Sequence, residues 1–97
     1  MLPDTIMESY LVIIQKAGSN YCPRSPDVLG CISTGDTIEQ TRRAMKEALE
    51  GHLELMAEDG DELPRSKGLL YYLSEGEEIA EPDDLITHIT IRLPVVA

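Results

Sequence analysis

The sequence predicts an α+β domain of two layers, one long helix laid across a small sheet. Three observations carry that expectation. Residues 8–16 contain an unbroken apolar run, Tyr10-Leu11-Val12-Ile13-Ile14, β-branched in its middle. A run so short and continuous reads as a strand covered on both faces, hence central in its sheet. Residues 38–58 repeat apolar side chains at spacings of three and four, as an amphipathic helix does. Residues 86–93, Ile-Thr-His-Ile-Thr-Ile-Arg-Leu, alternate apolar with polar, the period of a strand with one wet face. At 97 residues the chain has room for one domain and one modest core.

Taken in order, residues 1–7 read as a loose leader before the first strand. Ala17-Gly18-Ser19-Asn20 is a turn cluster that folds the chain back as a hairpin. The return strand opens at Tyr21-Cys22-Pro23. Pro23 and Pro26 each lack a backbone donor, so this segment is an edge, a bulge or a strand that gives way to loop. A short third strand is expected within residues 28–34, around Cys31-Ile32. Thr37 then suits the N-cap, with Gln40 three residues on completing a capping box. Asp36 and Glu39 place negative charge at the positive end of the helix dipole.

The helix carries its stripe on Ile38, Thr41, Met45, Ala48, His52 and Leu55, widened by Ala44, Leu49 and Met56. Charged residues fill most of the rest, and Glu39 and Arg43 are spaced to pair. Gly51 inside the pattern costs about 1 kcal/mol relative to Ala and is equally compatible with close approach to the sheet or with plain tolerance. Gly60 suits the left-handed position that ends a helix. In residues 65–84, Leu69-Leu70-Tyr71-Tyr72-Leu73 reads as a strand or a helical turn. The last strand, with one wet face, is an edge or a strand packed on one side only.

Eighteen acidic residues stand against eight basic ones, a formal charge of −10. Phosphate backbones are bound by Lys and Arg, so unaided nucleic-acid binding is not expected. The same field favours a basic protein partner. No basic segment followed by an apolar stretch marks a secretory signal, and the longest purely aliphatic run, residues 11–14, is far short of a membrane span. The chain is therefore expected in the cytoplasm, with Cys22 and Cys31 as free thiols. With neither Phe nor Trp, and four Tyr as the only aromatics, its core is expected to be aliphatic.

Few residues carry chemistry. Asp27, Asp36 and Glu39 are the acids that would converge on a cation in a metal-dependent nuclease, yet each has a turn or helix-start explanation. The acids of residues 75–84 lack the calcium-loop pattern. Cys22, Cys31, His52 and His88 lack zinc-ligand spacing. His52 lies on an apolar stripe and His88 on a wet strand face, and neither has a nucleophile at fixed spacing. No phosphate loop, dinucleotide fingerprint or nucleophile elbow occurs. No catalytic residue, metal site or cofactor is expected.

A longer pattern is more specific. Pro26-Asp27-Val28-Leu29-Gly30-Cys31 leads to Gly35-Asp36-Thr37, which opens the long helix. Tyr10–Ile14 and Tyr21 precede it; Ala44, Glu47, Ala48 and Leu49, then Glu58-Asp59-Gly60 and Pro64, follow. Over residues 10–64 the chain resembles the HicB-like antitoxin family. Its motif residues here are Pro26, Asp27, Gly30, Cys31, Gly35, Asp36 and Thr37. Val28-Leu29 stands where the family usually has Leu-Pro, Thr41 where Ala is common, and residues 65–84 look like an insertion. The chain ends just after the last strand, so the resemblance implies a stand-alone form without the C-terminal DNA-binding domain that many members carry.

The resemblance implies one domain over residues 1–97, with a core of residues 8–64 and a last strand at 86–93. Its fold would be partial ribonuclease-H-like, β-β-β-α-β, with the last strand parallel to the first in a mixed sheet and the catalytic acids missing. Its function would be to cover a small basic HicA-like ribonuclease toxin, acidic side chains standing in for the phosphates the toxin grips. Asp27, Val28, Leu29 and Asp36 would face that partner. An edge at Ile89, Ile91 and Leu93 would support a homo-oligomer. The alternatives are a stand-alone homo-oligomeric regulator without a toxin, and a metal-dependent nuclease on the same fold.

Overall fold

The computed structural model describes residues 6–94, so the expected leader lies, up to residue 5, outside the described residues. The first strand, β1 (Ile6–Ala17), is central. Its five-residue apolar run is buried throughout, Tyr10, Val12 and Ile14 on one face and Leu11 and Ile13 on the other. A two-residue turn, Gly18-Ser19, with Gly18 at φ +63°, joins it to β2 (Asn20–Arg24). A positive φ at the first turn position alone matches the twist of a tight hairpin and favours glycine there.

The last strand, β3 (Leu85–Leu93), lies on the other side of β1, giving the order β2-β1-β3. It is an edge, and Ile89, Ile91 and Leu93 are buried while His88, Thr90 and Arg92 are exposed. Its direction differs from the expected one: β3 runs antiparallel to β1, from Leu85 opposite Ile14 to Leu93 opposite Ile6. The sheet is all antiparallel rather than mixed. The physical reason is the route. The chain does not return directly from the helix but crosses the far face of the sheet and re-enters at the end where β1 finishes.

The expected third strand is also absent. Residues 28–34 touch the sheet edge only through an isolated bridge between Arg24 and Ile32, followed by a second between Tyr21 and Gly35. Pro23 and Pro26 withhold donors, and Gly30 at φ +84° bends the chain out of an extended line.

The long helix, α1 (Ile38–Glu58), has the expected bounds. Thr37 Oγ1 accepts from the Gln40 amide at 3.1 Å. Gln40 reaches back to the amide of Asp36 at 3.3 Å, one residue upstream of the usual capping-box partner. The buried row is Thr41, Met45, Leu49 and Leu53, at strict spacings of four. Leu53 thus takes the place expected of Leu55, which is exposed. Gly60, at φ +79°, donates to Ala57 and ends the helix. Gly51 faces open space and marks no close approach.

Residues 65–84 begin by forming a strap over the far face of β1. A short helix, α2 (Leu69–Ser74), supplies Tyr72, which packs on Leu11 and Ile13 with Leu69, Ile79 and Ala80 beside it. Polar ties fix its start: the Tyr10 hydroxyl donates to the Pro64 carbonyl at 2.6 Å, and Arg65 and Ser66 both donate to Glu8. The sheet is therefore covered on both faces around β1, by α1 on one side and by the strap on the other.

Candidate functional site

The motif loop leaves β2 at Ser25, whose hydroxyl accepts from the amides of Asp27 at 3.2 Å and Val28 at 3.3 Å. This local turn swings Asp27 under β1. Because β2 stops at Arg24, opposite Ile13, the earlier half of β1 has no strand on that side. Asp27 takes its place, accepting the Leu11 amide at 2.9 Å through Oδ2. Its Oδ1 accepts the Lys67 amide at 3.2 Å and the Tyr72 hydroxyl at 2.6 Å. Three donors on one buried carboxylate meet the requirement that a buried charge be fully hydrogen-bonded. Burial, and then the bond to Asp27, push the Tyr72 phenol well above its ordinary value, so it remains the donor.

From that anchor the loop sorts its side chains. Val28 and Cys31 turn into the core, whereas Leu29 and Ile32 stand 81% and 72% exposed. Gly30 sits at the tip between them. Gly35 closes the loop by exchanging two backbone bonds with Tyr21, at 2.8 and 3.1 Å. It also packs so tightly on Thr41 that a Cβ would lie 2.4 Å from the threonine Oγ1. An open cleft of about 330 Å³ runs between loop and strap, with Pro26, Leu29, Cys31 and Ile32 on one wall and Ile79 and Glu78 on the other. Arg24 ties the walls by donating to the Ile79 carbonyl at 2.5 Å.

The seven motif residues thus serve one loop. Asp27 anchors it, Pro26 and Cys31 line it, Gly30 and Gly35 permit its turn and closure, and Asp36 and Thr37 start α1. Of the four residues expected to face a partner, Leu29 and Asp36 are exposed. Asp27 and Val28 face inward, 8% and 2% exposed, because the Ser25 turn directs them under β1. Ile32 was not singled out in the sequence, since in a strand it would have been one residue of an alternating pair. Tyr72 was not singled out either; it meets Asp27 across 45 positions, with no local signal.

The acids that would converge on a cation lie apart. Asp27 is spent on internal donors, while Asp36 and Glu39 are exposed around the helix start. Among the described residues, no three His, Cys, Asp or Glu side chains gather as a metal site would require. Cys22 and Cys31 are both free, and burial pushes the Cys31 thiol up, away from the reactive thiolate. His52 is half-buried on α1 and His88 is exposed on β3. Among the described residues no helix is long and apolar enough to cross a membrane.

A sequence model described as HicB-like antitoxin of bacterial toxin–antitoxin systems matches residues 10–91. The chain belongs to that family. This HicB-like chain is 40% identical, over 68 residues, to an uncharacterized 14.9 kDa protein from the rep-hol intergenic region of Haemophilus phage HP1 (strain HP1c1). The match covers 70% of the chain and 51% of the phage protein, so the HicB-like chain spans about half the length of that relative.

Solved structures agree on the fold. The N-terminal domain of the Burkholderia pseudomallei antitoxin HicB superposes with a TM-score of 0.71 at 22% identity, covering 86% of this chain and 96% of that one. A chain of the HicA3 and HicB3 toxin–antitoxin complex gives 0.67 at 23% identity, covering 82% and 93%. The longer Burkholderia HicB gives 0.68 at 24% identity, with 62% of its chain covered. The helix-on-sheet α+β architecture is that of the HicB N-terminal domain.

Proposed function

We propose that this HicB-like domain neutralises a small basic HicA-like ribonuclease toxin in the cytoplasm by covering it, with no bond made or broken. The observation that carries the reading is family membership over residues 10–91, on a fold shared with a chain of the HicA3 and HicB3 complex. The motif loop supplies a physical means. Asp27 fixes its backbone from inside, so Leu29 and Ile32 are presented already ordered and little conformational entropy is lost on binding. The formal charge of −10 adds attraction for a cationic partner and speeds encounter.

The test is co-expression with the product of a short, basic reading frame beside this gene. The expected result is restored growth and a complex that co-purifies, both weakened by Leu29→Glu combined with Ile32→Glu. Arrested growth despite soluble wild-type domain, with no complex recovered, overturns the reading.

A further inference from the structure

Leu29 lines two clefts, not one. Besides the cleft of about 330 Å³ between motif loop and strap, a second of about 300 Å³ opens between the loop and the end of α1. Val28, His52, Met56, Glu62 and Pro64 form its walls with Leu29. The exposed Leu29 is therefore a ridge with a hollow on each flank. Each hollow has the size to take one large apolar side chain, at the lower end of the range of about 300–1,000 Å³ in which binding pockets fall.

The charged groups in the walls sort into two kinds. Asp27, in the second cleft, is engaged with Leu11, Lys67 and Tyr72, and Arg24, in the first, with the Ile79 carbonyl. Glu78 in the first cleft and Glu62 in the second are exposed, and among the described residues neither has an ion-pair partner. Each glutamate also sits in a wholly acidic stretch. Residues 58–62 and 75–84 hold ten of the eighteen acids of the chain and not one Lys or Arg. The negative charge is thus concentrated on the outer walls of the two clefts, around floors that are apolar. Acid rims over low-dielectric floors focus the field on whatever enters. A second copy would bring its own acid rims and net charge of −10 to the same place, so like charges oppose it there.

We infer that the partner is held at two points astride Leu29, by two apolar side chains that each have a Lys or Arg beside them, one pair per cleft. The inference rests on the antitoxin reading above and gives that partner's contact surface its chemistry. The apolar floors supply affinity, as desolvated anchor pockets do. Glu62 and Glu78 supply selection, because an apolar anchor without a neighbouring cation leaves the rim acids unpaired, and one beside an acid is repelled. Met56, Glu62, Glu78 and Ile79 all lie outside the family motif. The strap and the end of α1 thereby become the walls that tell one basic partner from another, while the motif loop between them holds Leu29 in place.

Calorimetric titration with the product of the neighbouring basic reading frame tests this on three charge reversals. Glu62→Lys, Glu78→Lys and Glu54→Lys change the net charge equally, and all three sites are exposed, but Glu54 lines neither cleft. Long-range attraction falls alike in the three, so any excess loss is local. Glu62→Lys and Glu78→Lys are each expected to weaken binding about tenfold more than Glu54→Lys does. Amides of residues 28–32, 56–62 and 77–80 are expected to exchange more slowly in the complex, and at an unchanged rate when the domain alone is concentrated. A complex that tolerates all three reversals equally overturns the inference and leaves the antitoxin reading standing. So does protection of those amides in the concentrated domain alone, which would put a second copy in the clefts. No complex with the wild-type domain overturns both.

Discussion

The Tyr72 hydroxyl lies 2.6 Å from Asp27 Oδ1, which joins the strap over the sheet to the loop that carries the family motif. One carboxylate therefore positions three segments: β1 through Leu11, the strap through Lys67 and Tyr72, and its own loop. Tyr72→Phe keeps the ring on Leu11 and Ile13 but deletes the bond. A hydrogen bond to a charged group contributes about 1.5–3 kcal/mol, and that loss is expected in urea unfolding. Asp27→Ala strands three donors, two of them buried, and is expected to cost more, with the strap exchanging its amides early.

The two glycines around α1 give opposite outcomes on substitution. A Cβ on Gly51 meets nothing within 4 Å. Gly51→Ala is expected to stabilise the chain by about 1 kcal/mol through helix propensity. Gly35→Ala would drive its Cβ into the Thr41 side chain and backbone. It is expected to destabilise by roughly 1–3 kcal/mol, the usual cost of forcing extra volume into a packed site. Thermal midpoints of the two variants move in opposite directions.

On the acid side, Glu8 contributes a defined pH dependence. Burial alone would push its carboxyl up, but bonds from Ser66 and Arg65, with the Arg65 charge, hold it below the ordinary value of 4.5. A lowered folded value means the stabilisation is present above that pH and is lost as pH falls through the folded value. Glu8→Gln is expected to flatten the loss of stability below 4.5, measured as denaturation midpoints across an acid series.

On the alkaline side the sign reverses. Burial first, and then the Glu8 charge, push the Tyr10 phenol up to about 12 from an ordinary 10.0. An acid whose folded value is raised stabilises the fold below its unfolded value and loses that contribution as pH rises toward the folded one. Stability is expected to decline between 10 and about 12. Tyr10→Phe is expected to make that decline shallower, at about 1 kcal/mol of neutral-pH stability for the lost bond to Pro64.

Local chemistry was legible in the chain, and long-range chemistry was not. Thr37 as cap, Gly60 as stop, the Gly18 turn and the alternation at Ile89 and Ile91 each rest on neighbours within a few positions, so their patterns announce them. The direction of β3 does not, because a period of two is identical in parallel and antiparallel strands. Leu53 and Leu55 are both compatible with a helical stripe, and only packing on the sheet distinguishes the buried Leu53 from the exposed Leu55. Asp27 was legible as a motif residue but not as a buried one. Its burial depends on Tyr72 and Lys67, which no spacing rule connects to it.

The ladder sets Ile6 directly opposite Leu93, while the Gly18-Ser19 turn lies at the far pole of the sheet. The chain thus enters and leaves the sheet at neighbouring positions, an arrangement that tolerates circular permutation well. A short tether bridging that junction, with fresh ends opened at the turn, keeps every ladder and the motif loop intact. It also leaves that pole as the place to hang a fluorophore or a surface anchor without shadowing Leu29.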